Sequence, residues 1–145
     1  MIKLNLPGYN IKTKRESGKE FIWDIVRKKF LVLTPEEYVR QNFIRYLIHD
    51  LNYPASLINI EGGLKVNVRQ KRSDALVYRQ GNPFMLIECK APEVKITKEV
   101  FEQAAMYNKT IGAKYLMLTN GLNHFCFQVN ADGQYQPHQG FPDYK

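Results

Sequence analysis

The spacing of hydrophobic positions changes twice along the chain, and each change marks a different kind of element. Phe43, Ile44, Leu47, Ile48 and Leu51 recur at helical spacing behind Thr34-Pro35-Glu36-Glu37. That tetrapeptide reads as a helix start, with Thr34 as N-cap, Pro35 at the first helical position and Glu37 at the third. The helix is expected to run to about residue 49 or 51, where Asn52-Tyr53-Pro54 stops it. Upstream, residues 28–33 read as a short strand. Residues 1–20 are polar, with Pro7-Gly8 and a basic stretch at 12–15, and part of them is expected to be a loose arm. From residue 57 the period shortens to that of strands, predicted at 57–61, 64–68, 73–78 and 84–90. Gly62-Gly63 breaks the first two, and Gln80-Gly81-Asn82-Pro83 turns the last two into a hairpin. Thr97 can cap a second helix to about residue 108, with Val100, Phe101, Ala104 and Ala105 toward the core and Gly112 closing it. Residues 114–118 form an apolar run suited to a strand covered on both faces, 119–121 a turn and 124–129 a final strand.

The order helix, strands, helix, strands predicts an α/β chain of the α+β kind, a mixed sheet with helices packed on it. The 145 residues, 44% of them hydrophobic, suffice for one domain over 1–145 without metal or disulfide staples. A formal charge of +7 favours a polyanionic partner. Cys89 and Cys126 lie inside apolar runs, which suggests neither a disulfide nor a zinc site and fits a reducing cytoplasm. With no apolar run near ~18 residues, a cytoplasmic protein without membrane spans is expected.

Chemistry concentrates on the second half of the hairpin. Strand alternation sets Phe84, Leu86, Glu88 and Lys90 on one face and Met85, Ile87 and Cys89 on the other. A three-residue loop, 80–82, would pair position 74 with 88 and set Asp74 across from Glu88, whereas a loop of two or four would turn it to the other face. Two carboxylates so close are costly without a cation between them, which points to a hard metal such as Mg²⁺ or Mn²⁺. A metal there activates water and polarises a phosphoryl oxygen, while a neighbouring ammonium neutralises developing charge. Taken alone, a Glu-x-Lys on a strand is more often a solvated pair. Gln103 and Tyr107, four apart, share one face of the second helix. Glu37 has two readings, as the acid of a capping box with Thr34 or as an acid aimed at the sheet. His49, His124 and His138 lack metal-site spacing.

Asp74, Glu88-Cys89-Lys90 and Gln103-Ala104-Ala105-Met106-Tyr107 resemble, in order and spacing, the PD-(D/E)xK nuclease superfamily in its form with a trailing Gln-x-x-x-Tyr motif. The wider chain, from about residue 22 to 144, is similar to the N-terminal domain family of type I restriction enzyme R subunits. The matching stretches are Val26-Arg27-Lys28-Lys29, Leu33-Thr34-Pro35-Glu36-Glu37-Tyr38-Val39-Arg40-Gln41, Lys71-Arg72-Ser73-Asp74, Ile87-Glu88-Cys89-Lys90-Ala91-Pro92 and Leu118-Thr119-Asn120-Gly121. The resemblance implies a restriction-endonuclease-like core and a Mg²⁺-dependent DNA endonuclease of a restriction or defence system. By motif, Asp74 and Glu88 match the metal-binding acids, the Cys89 carbonyl a further metal ligand and Lys90 the catalytic lysine. Glu37 matches the first-helix acid, and Gln103 and Tyr107 the auxiliary helix motif. Ser73 stands where a proline often precedes the first Asp. The chain has no G-x-x-x-x-G-K-[ST] motif, so the expectation is either a free-standing nuclease domain or one whose motor and specificity partners are separate subunits, and ATP dependence is not inherited.

Two other readings compete. One is a nucleic-acid-binding module of the same fold, catalytically silent, docking phosphates on Lys65, Arg69, Lys71, Arg72, Lys95 and Lys98. The other is a structural domain that recruits a partner through Tyr135, Phe141 and Tyr144, although the short tail favours their packing back on the fold.

Overall fold

A computed structural model of the protein describes residues 2–60 and 74–145. The break and strand expected over 62–68, with Lys65, Arg69, Lys71, Arg72 and Ser73, lie outside the described residues. The fold is α+β, as the alternation of periods predicts. A three-stranded antiparallel sheet is made of β1 (Thr13–Glu16), β2 (Lys19–Asp24) and β3 (Lys29–Val32). Among the described residues a six-stranded mixed sheet follows, in the order β4 (Ile58–Ile60), β5 (Asp74–Arg79), β6 (Asn82–Cys89), β7 (Tyr115–Thr119), β8 (His124–Val129) and β9 (Tyr135–His138).

Helices α1 (Pro35–Arg45) and α2 (Lys98–Ile111) cover opposite faces of that sheet. Val39, Phe43, Ile44 and Leu47 pack with Ala75, Val77, Met85, Ile87, Cys89 and Met117 on one side. Ala104 packs with Leu76, Leu86, Leu116 and Leu118 on the other, with Tyr107 against them. Strands β6 and β7 run parallel, joined by α2 as a crossover, and their residues from Phe84 to Cys89 and Leu116 to Thr119 are buried. Both helix starts obey the sequence signals. Thr34 Oγ1 accepts from the Glu37 N–H at 3.0 Å, and Thr97 Oγ1 from the Val100 N–H at 3.3 Å. Gly112 ends α2 at φ 79°, a left-handed cap that a side chain would strain. After α1 the chain makes a π-helical turn over Tyr46–Asp50, closed by the Leu51 N–H on the Tyr46 carbonyl.

At the start of the chain, 13–20 belong to the β1–β2 hairpin and Leu4 is 7% exposed against the main core. Strand β1 is exposed at every position, so it shows no hydrophobic alternation to read. Two expectations need correction, both in the β5–β6 hairpin. Its loop has two residues, not three. Arg79 pairs with Asn82 across Gln80 and Gly81, at φ 52° and 81°, the left-handed pair that suits a tight hairpin turn. A bulge between Val77 and Tyr78 supplies the missing offset, so Asp74 still pairs with Glu88. That bulge also breaks the alternation at Phe84, which packs in the cluster beneath α1 rather than with Leu86. The aromatics Phe141 and Tyr144 pack back against the α1-side cluster and Tyr135 against the α2-side one, the arrangement expected of so short a tail.

Candidate active site

Glu88 sits one residue before the end of β6 on the side covered by α2. Its register partners are Asp74 on β5 and Leu118 on β7. Six apolar or buried neighbours along β6 hold it rigidly, and it is itself 1% exposed. A carboxylate withdrawn from water costs several kcal/mol unless a cation compensates. Lys90 supplies one: its Nζ lies 3.3 Å from Glu88 Oε2, with the lysine side chain 27% exposed. The ammonium therefore stands between a buried acid and solvent.

The backbone beyond Glu88 is fixed by the motif Leu118-Thr119-Asn120-Gly121. The Lys90 N–H continues the ladder onto the Thr119 carbonyl at 2.9 Å. Asn120, 3% exposed, donates to the Val94 carbonyl at 2.8 Å and accepts from the N–H groups of Leu122 and Asn123. One amide thus ties the β6–α2 connection to the β7–β8 turn. Thr119 Oγ1 accepts from the Gly121 N–H and meets His124 Nδ1 at 2.7 Å, which gives His124 a structural place. Gly121 has φ 86°, and a Cβ there would come within 2.7 Å of Leu4. The motif is scaffolding for the strand end that carries Glu88 and Lys90.

Of the other expected site residues, Gln103 and Tyr107 lie on α2, the helix over Glu88's face. Gln103 is exposed, while Tyr107 is half-buried against the Leu76–Leu86 cluster. Because β7 is parallel to β6, α2 runs back along the sheet, and its first turns, with Gln103, lie toward the end that bears Glu88. Glu37 is placed differently, on α1 over the opposite face. Its carboxylate accepts from Arg40 Nε at 3.0 Å, from Arg40 Nη2 and from Gln41 Nε2 at 2.8 Å. Cys89 is buried with its side chain among the α1-side residues, on the face away from Glu88. The other thiol, Cys126, is pushed up to about 12 by burial, which leaves it protonated and inert.

Sequence reasoning missed a buried polar network that starts at Glu37. Gln41 links Glu37 to Arg45, whose Nη1 donates to Gln41 Oε1 at 2.9 Å and whose Nη2 donates to the Trp23 carbonyl at 3.1 Å. Burial pulls the Arg45 guanidinium below its ordinary range, against the opposing charge of Asp24. Asp24, 0% exposed, in turn holds Arg27 Nε at 3.0 Å. This chain of groups fastens the three-stranded sheet to α1. The signal available was polar residues at 37, 41 and 45, a stripe at four-residue spacing that also suits a solvated face.

Among the described residues no group of three His, Cys, Asp or Glu side chains is placed to hold a metal ion, and no helix is long and apolar enough to cross a membrane. The chain has no significant match among curated proteins or solved structures. A family model does match, over residues 35–142, from the start of α1 through the last strand. The chain therefore belongs to the family described as Type I restriction enzyme R protein N terminus (HSDR_N).

Proposed function

We propose that this domain is a metal-dependent DNA endonuclease of a restriction system, with the PD-(D/E)xK arrangement and a restriction-endonuclease-like core. The observation that carries the reading is the strand end itself: a buried Glu88 opposite Asp74 in register, ion-paired at 3.3 Å with a partly exposed Lys90. Hard oxygen donors suit Mg²⁺ or Mn²⁺, which bind through one or two carboxylates and substrate phosphate rather than an all-protein cage. Asp74, Glu88 and the Cys89 carbonyl would hold the ion. When bound, it supplies a polarised phosphoryl oxygen and a water of lowered pKa. Lys90 donates from Nζ to a non-bridging phosphate oxygen and offsets the charge that develops there. Gln103 and Tyr107, on the helix above, hydrogen-bond the DNA backbone or the attacking water. DNA and other subunits of the restriction system are the partners that family membership suggests.

A second reading has its own support. An ion pair between Glu88 and Lys90 is also what a catalytically silent nucleic-acid-binding module of this fold would keep, with exposed Lys95 and Lys98 on phosphates. Incubation with supercoiled plasmid and Mg²⁺ or Mn²⁺, with and without EDTA, separates the two. Nicked or linear product in the metal lanes alone supports the nuclease. Intact plasmid in every lane, alone and with partner subunits, leaves the binding module.

A further inference from the structure

The three-stranded sheet carries a second surface that the proposed cleavage site does not use. Antiparallel alternation divides β2 into two faces. Ile22 and Asp24, 1% and 0% exposed, lie on the buried face, and Arg45 fastens the strand by its bond to the Trp23 carbonyl. Phe21 and Trp23 occupy the other face. Register sets Lys14 and Val32 beside Phe21, and Phe30 beside Trp23. None of the three rings belongs to either core cluster. The rings are half-buried, and Val32 is 49% exposed.

Lysines stand over this platform. Trp23 and Phe30 meet edge to face with centroids 5.0 Å apart. Lys12 Nζ is 5.3 Å from the Trp23 ring centre, and Lys14 Nζ is 4.5 Å from that of Phe30 and 5.7 Å from that of Phe21. Residues 1–34 hold eight Lys or Arg against three Asp or Glu, so most of the +7 excess belongs to the segment that carries the platform. Half-buried aromatic rings beneath exposed lysines, one of which (Lys14) also lies 3.5 Å from Glu16 Oε1, have a defined ligand chemistry. Unpaired bases stack on the rings while the lysines swing to the phosphates between them. A duplex keeps its base faces inside its own stack and offers no such contact.

We propose that this face binds single-stranded DNA, with bases stacked on Trp23 and Phe30 and backbone phosphates on Lys12 and Lys14. The platform lies outside residues 35–142, the part matched to the family. Its preference for DNA over RNA rests on the proposed nuclease function, whereas the stacking and the charge do not.

Trp23 is the chain's sole tryptophan, so its emission reports on this surface in the unaltered protein. The test titrates the full chain with an oligothymidylate in EDTA, reading Trp23 fluorescence alongside the anisotropy of the labelled strand. Saturable quenching that tracks the anisotropy and weakens steeply with salt is expected. Phe30→Ala, and separately the pair Lys12→Gln with Lys14→Gln, should each weaken binding by about tenfold or more. The lysine pair leaves every ring in place, so its effect remains readable if Phe30→Ala fails to fold. Equal affinity for a duplex of the same length, tighter binding of the matching RNA, or binding with Trp23 emission unchanged would each overturn the proposal. So would self-association that quenches Trp23 without DNA, which would make the face an interface between copies. Because no metal is present, this result stands or falls separately from cleavage.

Discussion

Two glutamates lie on opposite faces of the same sheet, and their surroundings differ in kind. Glu37 is held within its own helix by Arg40 and Gln41, and the network continues through Arg45 to β2. Arg40 and Glu37 side chains are 2% and 11% exposed, so this ion pair is largely withdrawn from solvent. Glu88 is more deeply buried, yet its ion pair is with a lysine that reaches water, and its register neighbour is another acid. A matched, enclosed pair specifies structure. An acid at a rigid strand end beside a second acid and an accessible ammonium is instead equipped to meet a ligand.

Substitutions separate the two environments. The largest effect on stability is expected from Arg40→Met, which strands a shielded carboxylate; a loss of about 3–5 kcal/mol should appear in urea denaturation. Lys90→Met should lower the cleavage rate at least ~10²-fold, about 2.7 kcal/mol of barrier. Its stability loss should be smaller than that of Arg40→Met, because water reaches the ammonium it removes; a rate unchanged in single-turnover assays would return Lys90 to the status of a surface charge. Asn120→Ala removes the amide that ties Val94 to the β7–β8 turn and should cost about 2 kcal/mol in thermal or chemical unfolding. A drop no larger than a few tenths would mean that the strand end does not depend on this connection.

Much of this was legible from residue patterns, and the failures have physical causes. Capping by Thr34 and Thr97 is local chemistry, so both helix starts could be read directly. The pairing of Asp74 with Glu88 was expected only from a three-residue loop; the turn has two residues, which alone would set Asp74 on the other face, and an unforeseen bulge restores the pairing. Bulges leave no reliable mark in hydrophobic spacing, and this one exchanged the face of Phe84. Strand β9 went unread because Pro137 argues against a ladder position; the strand is tolerated at the sheet's edge, where a missing donor matters least. The network from Glu37 to Arg45 was invisible for a different reason. Charged residues at helical spacing look alike whether they face water or a second sheet, and only tertiary packing on β2 decides.

On the proposed function, the acid at the end of β6 is catalytic while the acid in the first turn of α1 is structural. Single-turnover cleavage by Glu88→Gln and by Glu37→Gln, each normalised to its folded fraction, tests it most directly. Glu88→Gln should abolish metal-dependent cleavage with the fold retained, whereas Glu37→Gln should lose stability and keep its rate within about tenfold, well short of the ~10²-fold loss expected when a group acting on the transition state is removed. Rates that collapse together in the two variants, or a Glu88→Gln that still cleaves, would contradict the account.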